Sequence, residues 1–176
     1  MGSRQSSSSA ALPIAYVVLR ILIVLNWLMA VGILSLVFLS PNEQFIMSFL
    51  ELSPSPDAER VVMGLRAIAV LGLATIPLNY GIFKRLLAIV ETVRAGDPFV
   101  AANANRLRAI AWSLLALQLL SVVIGAIGES ISSPAHPFNL DAGFSVTGWL
   151  AVLLTFLLAR VFAEGTLMRE DLQGTV

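Results

Sequence analysis

Lys84-Arg85-Leu86-Leu87-Ala88-Ile89-Val90-Glu91-Thr92-Val93-Arg94-Ala95-Gly96-Asp97-Pro98-Phe99-Val100-Ala101-Ala102-Asn103-Ala104-Asn105-Arg106-Leu107-Arg108 separates two apolar runs long enough to cross a bilayer. From Phe83, just before it, Leu86, Leu87, Val90 and Val93 follow at helical spacing, with Lys84, Arg85, Glu91 and Arg94 on the other faces. Gly96 is suited to the position just past a helix end, and Asp97-Pro98 to an N-cap followed by the first helical residue. One helix therefore stops and another starts almost at once, which makes two antiparallel neighbours.

The rest of the chain is strongly apolar. Of its 176 residues 57% are hydrophobic and 12% charged, with a mean hydropathy of +0.87. Soluble domains carry about twice that share of charge, so this chain could not wet its own surface. The apolar residues fall into four blocks, about 13–39, 61–83, 109–127 and 144–162, each of membrane-spanning length. The expectation is an all-α integral membrane protein with a single domain over 13–172, built as a four-helix bundle. A disordered tail is expected over 1–12 and a frayed end over 173–176. Arg20 within the first apolar run, and the length of that run, argue against a cleaved signal peptide.

Ser40-Pro41-Asn42-Glu43 has the form of a capping box, and 41–52 reads as a short interfacial helix ended by Ser53-Pro54-Ser55-Pro56. Helix 2, from Ala58 to Ala95, would be ~57 Å long at ~1.5 Å per residue, against a core of ~30 Å. Helices 2 and 3 should then project from the membrane as a hairpin over 84–108. With that hairpin in the cytoplasm, nine of the eleven basic residues fall on the inner side, leaving only Arg60 and Arg66 outside. The positive-inside rule thus predicts both termini inside, in a bacterial inner membrane.

Net charge is zero, so nothing recommends nucleic acid as a partner; the absence of cysteine removes thiolate chemistry and cysteine-held metal sites. The sole histidine, His136, lies in a Ser/Pro/Gly loop and cannot form a bis-histidine ligand set within one chain. With no nucleophile–base set or phosphate-binding glycine loop, no enzymatic activity, cofactor or metal is expected.

Two groups of residues remain. Arg20, Asn26, Arg66, Asn79 and Gln118 are polar groups inside apolar runs. Arg20 and Arg66 read as interfacial anchors, Arg66 with Glu59 or Glu129 as partner. Asn26 and Gln118 read as interhelical hydrogen bonders, and Asn79 as repairing the backbone at Pro77. The alternative is a transporter or channel subunit in which Asn26, Asn79 and Gln118 line a path in an oligomer. The second group is Gly96, Asp97, Pro98, Phe99, Asn103, Arg106 and Arg108 on the hairpin, with Glu164 and Gly165 on the extension of span 4. They fit a hairpin packed on Phe162–Leu172, its arginines pairing Glu164 or Glu170, and equally a docking face for a cytoplasmic protein.

Gly96-Asp97-Pro98-Phe99-Val100, then Asn103 to Arg106-Leu107-Arg108, then Phe162-Ala163-Glu164-Gly165 leading to Leu167, Arg169-Glu170-Asp171 and Thr175-Val176, resemble the bacterial membrane family called domain of unknown function 2975. That resemblance implies a four-span inner-membrane protein without established activity, often encoded beside a small helix-turn-helix regulator. The functional expectation is a non-enzymatic regulatory protein that docks such a soluble partner, with homo-oligomerisation left open.

Overall fold

The computed structural model describes residues 5–39, 58–132 and 142–173, and among these every regular element is a helix. We number them α1 (Gln5–Leu39), α2 (Ala58–Arg94), α3 (Ala101–Ile131) and α4 (Val146–Gln173). All four are long and apolar enough to cross a membrane. The expected interfacial helix at 41–52 and the loop carrying His136 lie outside the described residues. The helix of span 1 runs back to Gln5 through part of the expected tail, since extending a formed helix is far easier than starting one.

The helices do not close into a bundle. Each packs only on its neighbours in the chain, α1 on α2, α2 on α3 and α3 on α4. The architecture is an open row, and the expected four-helix bundle is corrected accordingly. Lipid is as apolar as leucine, so no hydrophobic force draws α1 onto α4. The two outer helices accordingly bury 11% of their apolar window, and α2 and α3 bury 17%.

Small residues set the spacing within the row. Ala104, Ala111 and Ala159 are among the buried positions. A Cβ on Gly64 would fall 2.5 Å from Ile131 Cγ2, and one on Gly125 would fall 2.7 Å from Gly143 Cα and 2.8 Å from the Ala142 carbonyl oxygen. At both points glycine is what allows the approach. α4 begins one turn after that contact, where the Ser145 hydroxyl accepts from the Gly148 amide at 3.1 Å as an N-cap.

α2 passes through Pro77 without breaking. Beside the proline, Thr75 Oγ1 donates to the Gly72 carbonyl at 2.7 Å, and Asn26 Nδ2 of α1 reaches the Ile76 carbonyl at 3.2 Å. The interhelical bond expected of Asn26 is present. Both bonds go to carbonyls other than that of Leu73, the acceptor that Pro77 leaves without an amide donor.

Candidate functional site

The polar end of the row, where α2 turns into α3 beside the end of α4, is the most densely bonded part of the described structure. Gly96 has φ +83, which a side chain would disfavour. Its amide donates to the Val93 carbonyl at 3.1 Å and the Asp97 amide donates to the Thr92 carbonyl at 3.0 Å. That pair of bonds is a Schellman cap, as the sequence predicts for Gly96.

Asp97 behaves differently from its local signal. α3 starts at Ala101, not at Pro98, and its N-cap Val100 is extended (φ −116, ψ 143) with no side-chain cap. The Asp97 carboxylate pairs with Arg169 on α4. The carboxylate thus reaches a guanidinium on another helix rather than capping its own, which starts only at Ala101. The same guanidinium donates to the Phe99 carbonyl at 3.4 Å. The Phe99 ring lies 5.3 Å from that of Phe162 and covers Gly165, where a Cβ would be 3.1 and 3.3 Å from its ring carbons.

Asn103 is the hub beneath this turn and is fully buried. Its Nδ2 donates to Thr92 Oγ1 at 2.7 Å and to the Pro98 carbonyl at 2.9 Å, and its Oδ1 accepts from Arg106 at 2.7 Å. Both donors and the acceptor are thereby used. Arg106 also donates to the Ala88 carbonyl at 3.4 Å, so it ties α3 to α2.

The hairpin therefore does pack on the α4 extension, but with the charges arranged otherwise than expected. Glu164 pairs at 3.0 Å with Arg160 of its own helix, and neither Arg106 nor Arg108 takes part in an ion pair among the described residues. Arg106 is drawn inward by the buried Asn103 acceptor. Arg108 is exposed. The side chain of Glu170 lies outside the described residues. Sequence reasoning missed Thr92, Thr166 and the role of Arg169. Thr166 is buried, its hydroxyl donating to the Phe162 carbonyl at 2.8 Å.

The intramembrane polar residues do not gather. Asn26 serves the α1–α2 contact, whereas Gln118 on α3 faces Gly148 on α4, its Oε1 2.0 Å from where a Cβ would be. Asn79 is half-buried on α2. Gln118 Nε2 and the Trp149 indole nitrogen are buried with no hydrogen-bond partner, so the bond expected of Gln118 is not made through its amide nitrogen. Arg66 is exposed and pairs with neither Glu59 nor Glu129. Arg20 donates to the Tyr16 hydroxyl at 2.6 Å. A cavity of about 460 Å³ opens at the far end of the row, lined in part by Gly125, Glu129, Gly143 and Phe144, with Glu129 the one ionisable group in its lining among the described residues.

A family model described as protein of unknown function, DUF2975, matches residues 47–176, and the chain belongs to that family. The match contains the whole α2–α3 turn and the α4 extension. Neither the curated proteins nor the solved structures compared with the chain yield a match.

Proposed function

We propose that this DUF2975 member is a non-enzymatic regulatory protein of a bacterial inner membrane, and that the α2–α3 turn with the end of α4 is its docking face for a soluble cytoplasmic protein. The orientation rests on charge, with nine of the eleven basic residues at the hairpin side. The observation that carries the docking reading is the outer surface of the turn. Phe99 is 43% exposed although its ring packs on Gly165 and Phe162, and Leu167 and Met168, within the next turn of α4, are 60% and 63% exposed. Apolar side chains exposed together at a polar helix end are what a recognition surface needs, because a partner can bury them as anchors. The partner class is a small soluble regulator, such as the helix-turn-helix proteins implied by the family resemblance.

Transport has less support, since Asn26 and Gln118 lie on different helix contacts and an open row encloses no path.

The test is a photo-crosslinking residue at Met168 in native membranes, with and without Phe99→Ala. Docking predicts one soluble protein attached to Met168 and lost in the Phe99→Ala background. Attachment that survives Phe99→Ala, or none in the wild type, overturns it.

A further inference from the structure

A second cluster lies at the same end of the row but on its opposite edge, between α1 and α2. The Arg20 guanidinium carbon is 4.9 Å from the centroid of the Tyr16 ring, and that of Arg94 is 5.5 Å from the same centroid. The two residues are far apart in sequence, and the antiparallel packing of α1 on α2 brings them onto one aromatic ring. Neither forms an ion pair among the described residues. Two guanidiniums within about 10 Å of each other repel across about one Debye length, and the ring quadrupole offsets only part of that.

The surroundings say what kind of anion would relieve it. Arg20 spends one donor on the Tyr16 hydroxyl, and a guanidinium has others free in a planar fork. Both arginines are exposed. Along α1 the neighbouring Val17, Val18 and Ile21 are exposed and apolar, and among the described residues this helix packs on α2 alone, which leaves that wall open to lipid. Above the wall stand two unpaired cations that suit a phosphate oxygen pair. A ligand matching both parts is amphipathic, with an anionic phosphate above acyl chains.

We infer that Tyr16, Arg20 and Arg94 form a headgroup site for an anionic phospholipid, seated at the α1–α2 edge. Tyr16 is the positioning residue, and the two arginines bind the phosphate. This site is independent of the docking face on α3 and α4.

The experiment uses the full chain in phosphate-free neutral maltoside micelles, titrated with dioleoylphosphatidylglycerol and read by native mass spectrometry as retained lipid. Arg20→Gln/Arg94→Gln should weaken retention at least about tenfold, the loss of two charge-assisted contacts. Tyr16→Leu, which keeps net charge and so tests the gathering of the arginines, should weaken it comparably. It decides the matter if the double variant does not fold. Arg60→Gln/Arg66→Gln, which removes two cations near the other end of α2, should leave retention unchanged. Undiminished retention in the Tyr16 and Arg20/Arg94 variants, or equal loss in the Arg60/Arg66 variant, would overturn the site in favour of diffuse charge. Displacement of the lipid by equimolar inorganic phosphate would overturn the lipid as occupant and assign a free oxyanion instead.

Discussion

Phe99, in the α2–α3 turn, and Gly165, on α4, are in contact so close that a single methyl group between them would press on the ring, at 3.1 and 3.3 Å from its carbons. Gly165 costs α4 about 1 kcal/mol of helix propensity relative to alanine. What it provides is a seat for the aromatic ring of the α2–α3 turn.

The two effects can be set against each other by substitution. Gly165→Ala recovers about 1 kcal/mol of propensity and displaces a ring that is 43% exposed and free to shift outward by a few tenths of an ångström. The expected net change in stability is within about 0.5 kcal/mol of zero. Gly165→Leu cannot be accommodated by so small a shift and should separate the turn from α4. Thermal unfolding in detergent would show near-identity for alanine and a loss of about 2 kcal/mol for leucine. A similar loss for both would mean that the ring is fixed in place.

Asn103 should be the most sensitive position of the hairpin. Asn103→Ala leaves the Pro98 carbonyl, the Thr92 hydroxyl and Arg106 without their shared partner in a fully buried spot. A loss of about 2 kcal/mol is expected, since three part-buried groups lose a partner while Thr92 keeps the Ile89 carbonyl and Arg106 the Ala88 carbonyl. Asn103→Asp keeps the acceptor for Arg106 but removes both donors, and should also destabilise. Limited proteolysis at the Gly96–Val100 turn would report both, with cleavage faster than in the wild type. Unchanged protection in Asn103→Ala would remove the hub role.

The Asp97–Arg169 pair is expected to contribute little to stability and more to geometry. Its side chains are 42% and 44% exposed, for arginine and aspartate respectively, and such pairs are worth about 0–1 kcal/mol. Asp97→Arg alone or Arg169→Asp alone should cost less than about 1 kcal/mol, and the exchanged double variant should recover most of it. The recovery should shrink as salt rises from about 0.05 to 0.5 M, because the pair is screened. A double-mutant cycle with no coupling at low salt would show that the contact is incidental.

How much of this was legible depends on whether the signal was local. The four helices follow from hydropathy, and the Gly96 cap from a glycine at the end of an amphipathic pattern; both are short-range. Asp97-Pro98 carried an equally local signal and misled, because the deciding partner, Arg169, lies 72 residues away. Arg106 reads as a partner for Glu164 or Glu170, or as part of a docking face, until the buried Asn103 acceptor turns it inward. The open row was not legible at all: a residue facing lipid and one facing another helix are equally apolar, so hydropathy carries no record of closure. Tyr16 gave no signal either, as an aromatic in an apolar run becomes distinctive only when Arg94 arrives beside it.

The same reasoning separates the two buried amides inside the apolar runs, Asn26 and Gln118. Asn26 makes its bond, to the Ile76 carbonyl, whereas Gln118 leaves Nε2 unpaired, as Trp149 does its indole nitrogen. Asn26→Leu should therefore destabilise, by only about 0.6 kcal/mol, the usual worth of such a bond between membrane helices. Gln118→Met removes a buried donor without a partner, keeps the length of the side chain and offers Gly148 a softer neighbour. It should raise stability by about 1 kcal/mol, the low end of what an unsatisfied amide costs. Unfolding of the two variants side by side in the same micelle checks the sign. Opposite shifts are expected, and a destabilised Gln118→Met would show that the amide does find an acceptor, water or lipid, once in the bilayer.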